Sequence, residues 1–276
     1  MLKAGVIGLG QIGGGVAICL ARADRLAAVY DVRPDASAKL DGVPAVVASP
    51  AEVAKVADVI MIAVVDADQA RSALNGPTGI LAGARPGFVV VLLSTVSLSA
   101  LRDLDGIVKS AGGTLVDCGV TGGTAAATKG LVSLVGADDA TFARVADVLN
   151  DFSKQVCHMG GPGAGMAAKI ARNVIVYTVW RAGYEGAKLA EAAGIDVVKL
   201  AAAIDSSAEN VGGPTVWMNR PATVADAGEK ALRETVLNLL TKDLKAALAL
   251  GEELGVNLPV AELTCTTGAH ILGLEK

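Results

Sequence analysis

Across its first 160 residues the chain alternates short runs rich in Val, Ile and Leu with segments of helical periodicity, and after Gly165 the short runs stop. The strand candidates are Ala4–Gly8, Ala27–Asp31, Ala45–Ala48, Val59–Val65, Phe88–Ser94, Thr114–Cys118, Leu131–Val135 and Gln155–His158. Their nearly continuous apolarity suits strands buried on both faces, as in a parallel sheet covered by helices. One helix start is explicit: Ser49-Pro50-Ala51-Glu52 offers Ser as N-cap, Pro at the first helical position and Glu at the third, a capping box. The βαβ rhythm predicts a doubly wound, mostly parallel α/β domain. Beyond it, Met166 to about Ala193 reads as one long helix ended by Gly194, with further helices near Val197–Ile204 and Lys230–Leu254. An all-α second domain is therefore expected. Gly160–Gly165 holds four glycines and a proline in six residues, which places the domains at 1–161 and 162–276.

Composition narrows the partners. Hydrophobic residues make up 52% of the chain and mean hydropathy is +0.51, much of it alanine. Charge, Gly or Pro interrupts every apolar run before about 18 residues, so no membrane span is expected. The N-terminus runs directly into a strand without the apolar centre of a signal peptide, which suggests a cytoplasmic protein. A net charge of −4 and the lack of basic clusters argue against nucleic acid. Cys19, Cys118, Cys157 and Cys265 are scattered, with no Cys-x-x-Cys spacing and two histidines to join them, so no metal site is expected.

Gly8-Leu9-Gly10-Gln11-Ile12-Gly13 matches G-x-G-x-x-G directly after a strand, and Val16, Ala17 and Leu20 continue it as a helix. Gly8 allows the tight turn, Gly10 lets backbone approach a pyrophosphate, and Gly13 permits close helix–strand packing. The helix N-terminus offers N–H groups to phosphates. This is the pattern of a Rossmann-type dinucleotide-binding domain. Asp31 lies eighteen residues after Gly13, where a carboxylate binds the adenosine ribose and repels a 2′-phosphate. NAD is therefore favoured over NADP. Arg33 complicates this, because it could receive a phosphate if Asp31 turned away. Asp31 could also be a plain turn residue before Pro34. Val64 and Val65 end the fourth strand candidate and Ser94-Thr95 closes the fifth, at the sheet edge where a nicotinamide would lie.

The substrate side rests on two segments. Thr121, Gly122 and Gly123 follow the strand Thr114–Cys118 and lead into another helical segment, a junction whose N–H groups suit a carboxylate. An ordinary helix entry capped by Thr is the competing reading. Lys169 and Asn173 stand four residues apart, hence on one face of the long helix, among Ala, Ile and Val. Desolvation there lowers a lysine pKa and makes a usable acid/base. Lys242-Asp243 lies in the helix Lys230–Leu254, and by itself such a pair is ordinary surface. Trp217 and Met218 are candidates for a pocket, a core or an interface.

Taken in order, the glycine loop, Asp117-Cys-Gly-Val-Thr-Gly-Gly123, Gly163-Ala-Gly-Met-Ala-Ala-Lys169-Ile-Ala-Arg-Asn173 and Lys242-Asp243-Leu244 resemble the motifs of the β-hydroxyacid dehydrogenase family, nearly end to end. The resemblance implies an NAD(P)-dependent 3-hydroxyacid dehydrogenase, like those acting on 3-hydroxyisobutyrate. It implies Lys169 as general acid/base, Asn173 as its hydrogen-bonding partner, and Thr121–Gly123 on the substrate carboxylate. Lys242 would lie close to the nicotinamide, and a homodimer or homotetramer would form through the helical domain. Departures are Thr121 for the family's serine, Gly119 for its proline, Ile12 for a common methionine and Val174 for a second asparagine. The alternatives are an NADPH-dependent imine reductase and a non-catalytic nucleotide-binding regulatory protein.

Overall fold

The computed structural model describes residues 1–211 and 226–275; Trp217 and Met218 lie outside them. Two compact units result, Met1–Arg172 and Asn173–Lys276. The sequence boundary at 161/162 sits in the glycine-rich loop. The first unit runs on to Arg172 because the opening turns of the long helix pack on the sheet, with Met166 fully buried.

The first unit is a seven-stranded sheet. Its strands are β1 (Ala4–Ile7), β2 (Leu26–Tyr30), β3 (Val59–Ile62), β4 (Val89–Leu92), β5 (Thr114–Thr121), β6 (Leu131–Gly136) and β7 (Ser153–Gly160), in the order β2-β1-β3-β4-β5-β6-β7. All neighbours are parallel except β5 and β6. Every residue of β1, β3 and β4 is buried, as their unbroken apolarity required. The helices are α1 (Gln11–Arg22), α2 (Pro50–Val56), α3 (Ala67–Leu74), α4 (Ile80–Gly83), α5 (Leu98–Ser110) and α6 (Asp139–Phe152). They feed two apolar cores. One gathers Val16, Leu20, Val145 and Leu149, and the other Val53, Leu74, Leu104 and Val108.

The expected strand Ala45–Ala48 does not form. Val47 N–H bonds Val29 O at 3.0 Å, but Ala48 N–H is taken by Glu52 Oε2 at 2.9 Å as the chain turns into α2. Pro44 withholds a further donor. The local helix-start signal thus overrides the short β-rich run. Ser49 Oγ accepts from Glu52 N–H at 3.3 Å, so the cap forms, with Glu52 reaching one residue further back than in the standard box.

Helix α7 (Ala164–Ala192) crosses from the first unit into the second, ending before Gly194 at φ +73°. The second unit continues with α8 (Val197–Val211), α9 (Ala227–Leu254) and α10 (Pro259–Ile271), and it is helical throughout its described residues. Helix α9 starts three residues before the expected Lys230 because Asp226 caps it, accepting from Glu229 N–H at 2.9 Å. Helix α10 has no cap of its own. The buried Glu185 of α7 supplies one, accepting from Val260 N–H at 3.0 Å. Among the described residues, no helix is long and apolar enough to cross a membrane.

Candidate active site

The glycine loop between β1 and α1 takes the form its glycines allow. Gly8 has φ +88°, and a Cβ there would stand 2.5 Å from Ala63 O. A Cβ on Gly13 would meet Gly8 O at 1.9 Å, so the helix packs on the strand through this glycine. Gly10 has open space around it and caps α1 without any side chain. The first turn of α1 is therefore an approachable set of N–H donors.

Two cavities flank this loop. The larger, about 580 Å³, runs from Gly8 and Gly10 to Asp31 and Arg33. Its rim includes Val32 and Val65, apolar yet 85% and 81% exposed. The other, about 440 Å³, is lined by Gly10–Ile12, Ser94, Thr95, Thr121–Gly123 and Lys169. They share Gly10, Ala63, Val64 and Val65. An extended dinucleotide fits this arrangement. One end has the exposed apolar side chains of Val32 and Val65, the middle has the bare backbone of the glycine loop, and the second cavity holds Lys169.

At the far end of the larger cavity, Asp31 Oδ2 accepts from Leu9 N–H at 2.7 Å. Its Oδ1 accepts from Arg33 N–H at 2.9 Å and Arg33 Nε at 3.0 Å. Burial pushes the Asp31 carboxyl up, but the hydrogen bonds from Arg33 and Leu9 outweigh it and hold the pKa at about 2. Asp31 is thus an anion at neutral pH, and Arg33 is turned onto it.

At the other end, Lys169 Nζ donates to Val120 O at 2.6 Å. Partial burial, with a smaller contribution from the neighbouring Arg172 charge, lowers its pKa below the usual lysine value. Gly122 at φ +87° turns the chain into a 3₁₀ helix, Gly123–Thr128, which no side chain caps. Ser94 is committed to structure: its Oγ donates to Val64 O at 2.6 Å and accepts from Val64 N–H at 3.0 Å, tying the loops after β3 and β4. Thr95 is exposed on the cavity wall.

The cavities thus gather Gly8, Gly10, Gln11, Ile12, Asp31, Val64, Val65, Ser94, Thr95, Thr121–Gly123 and Lys169. Leu9 and Gly13 line neither cavity: Leu9 donates its N–H to Asp31, and Gly13 packs against Gly8. Asn173 is the first residue of the helical unit, one turn beyond Lys169. Lys242 lies on α9, its ammonium 3.2 Å from Asp243, with both side chains exposed.

Sequence reasoning overlooked the work of Asp117. Its carboxylate, 1% exposed, accepts from Gly163 N–H and Met166 N–H, each at 2.6 Å, and so caps the helix that carries Lys169. Burial pushes this carboxyl up, only partly opposed by those bonds. The signal was a lone acid inside the apolar run Thr114–Cys118.

Residues 3–161 match the family described as the NAD binding domain of 6-phosphogluconate dehydrogenase. Residues 163–270 match that described as NAD-binding of NADP-dependent 3-hydroxyisobutyrate dehydrogenase. The 2-hydroxy-3-oxopropionate reductase of Escherichia coli is 31% identical, over 94% of this chain and 87% of that protein. The chain belongs to the β-hydroxyacid dehydrogenase family. An uncharacterized oxidoreductase of Mycobacterium tuberculosis is 37% identical, over 99% of this chain and 94% of that one. The crystal structure of an oxidoreductase from Mycobacterium avium 104 superposes with a TM-score of 0.89 at 34% identity, covering both chains in full. As a β-hydroxyacid dehydrogenase the protein is an NAD(P)-dependent oxidoreductase of hydroxy acids. Thr121 stands on the wall of the cavity that holds Lys169, and Gly119 lies directly under the Lys169 stem.

Proposed function

We propose that this protein oxidises a small 3-hydroxy acid with NAD, and that Lys169 is the general acid/base. The observation that carries this is the position of Lys169. Its half-buried ammonium lines one cavity with the glycine loop on one side and Thr121–Gly123 on the other. NAD, when bound, supplies the carbon that takes the substrate's hydride. The uncapped N–H groups at the start of the 3₁₀ helix and the Thr121 hydroxyl hold the carboxylate. Lys169, its pKa lowered by burial, accepts the hydroxyl proton in its neutral form and returns it in the reverse direction. Anchoring the carboxylate beside the acid/base fixes a reactive geometry, an effect worth up to about 7–11 kcal/mol.

The roles of Asn173 as the partner of Lys169 and of Lys242 near the nicotinamide belong to this proposal and rest on the family resemblance. NAD is favoured over NADP because Asp31 is anionic at the adenosine end and holds Arg33 to itself. The enzyme is cytoplasmic and forms a homodimer or homotetramer. Val174, Tyr177, Trp180 and Tyr184 of α7 are each more than half exposed, an apolar stripe of the kind that subunit contacts cover.

Nicotinamide absorbance, followed with NAD and with NADP against 3-hydroxyisobutyrate, glycerate, serine, threonate and 3-hydroxypropionate, tests this reading. Turnover with NAD supports it. Turnover only with NADP overturns the use of Asp31, and cofactor binding without turnover overturns the dehydrogenase assignment.

A further inference from the structure

Strand β5 grips helix α7 at alternate residues. Side chains two apart on a strand share a face, and Asp117, Gly119 and Thr121 stand at that spacing. Asp117 caps the helix through Gly163 and Met166. Thr121 reaches the catalytic cavity. Between them, Gly119 has nothing but hydrogen where its neighbours carry functional groups.

That gap is filled. A Cβ on Gly119 would stand 2.4 Å from Lys169 Cβ and 2.9 Å from Lys169 Cγ, separations that packed carbons do not tolerate. Changing the Lys169 rotamer moves its Cγ but not its Cβ, so relief requires the helix to shift. The helix is held. A Cβ on Gly165 would meet Leu134 O at 2.4 Å and Gly136 N at 2.6 Å, which shows how closely this turn of α7 lies on the strand backbones. Asp117 fixes the turn from below.

We propose that Gly119 is a positioning residue for Lys169: the space left by its missing side chain seats the lysine stem and sets where the amine stands in the cavity. This rests on Lys169 being the acid/base. The seated stem is what lets Nζ reach Val120 O at 2.6 Å. Gly119 does not have a positive φ, so an alanine fits its backbone and a substitution reads out space alone.

The test is Gly119→Ala in the full-length enzyme, alone and combined with Lys169→Ala. A displacement of about 1 Å at a reacting group costs up to about a hundredfold. We expect kcat to fall at least about tenfold, with KM and cofactor affinity within about twofold of the parent. In the Lys169→Ala background the same substitution is expected to cost a clearly smaller factor, because the opposing Cβ remains but there is no amine left to misplace. Parental kcat in Gly119→Ala overturns the proposal. So does an equal fold-loss with and without Lys169, which marks a purely structural effect. Near-parental turnover of Lys169→Ala alone is a different failure: it removes the acid/base reading and the positioning role with it. If Gly119→Ala fails to fold, joining it to Lys169→Gly removes the opposing Cβ and is expected to restore soluble protein. A double variant that stays insoluble overturns the proposal.

Discussion

The carboxylate of Asp117 accepts a hydrogen bond from the backbone N–H of Met166 at 2.6 Å, three residues before Lys169. The sheet thereby holds the helix that carries the proposed acid/base. Its other oxygen takes Gly163 N–H, so two donors at the start of α7 depend on one buried side chain. Asp117→Asn replaces one acceptor with an N–H₂ that faces a donor. The expected cost is about 1–3 kcal/mol of stability, together with reduced turnover. Urea unfolding alongside kcat checks both, and unchanged values of each contradict the capping role.

In the proposed reading Asp31 links cofactor choice to acid stability. Its folded pKa is depressed from 3.8 to about 2, so the stability it contributes is present above 3.8 and is lost as pH falls toward 2. The shift sets a ceiling of about 2 kcal/mol, which screening of the largely exposed Arg33 lowers to about 1 kcal/mol. Asp31→Asn is expected to be less stable at neutral pH and to show a shallower loss across that window. It also removes the anion that disfavours a 2′-phosphate, so the ratio of NAD to NADP turnover is expected to fall at least about tenfold. Acid unfolding curves and cofactor kinetics on the same preparation decide the matter.

Thr121 lines the cavity that holds Lys169, and in the proposed reading its methyl limits the size of the substrate. One buried methyl in a pocket discriminates by about 1–3 kcal/mol, or about 10–200-fold. Thr121→Ser is expected to raise kcat/KM for bulkier hydroxy acids by about tenfold relative to the smallest substrate. An unchanged preference order across a graded panel contradicts this.

What was legible in the sequence was what local chemistry dictates. Continuous Val/Ile/Leu runs marked β1, β3 and β4, and Gly8, Gly10 and Gly13 marked a turn that only glycines form in this way. Lys169 was legible because a charge in an apolar helix needs a reason. Interactions distant in sequence were not legible. The bonds of Asp117 to residues more than forty positions away depend on β5 lying under α7, and the capping of α10 by Glu185 spans 75 positions. Ala45–Ala48 misled because its apolar pattern is that of a strand, while Glu52 and Pro44 divert its backbone into the entry of α2. Gly119 was visible as a departure from the family, but its use appears only once Lys169 lies over it.

The most direct test of the central claim is the turnover of Lys169→Ala with its best hydroxy acid and saturating NAD. The variant is expected to lose at least about a hundredfold in kcat, the low end for a missing general acid/base, while NAD affinity and melting temperature stay near those of the parent. A variant that folds, binds NAD and turns over at a near-parental rate contradicts the assignment of Lys169.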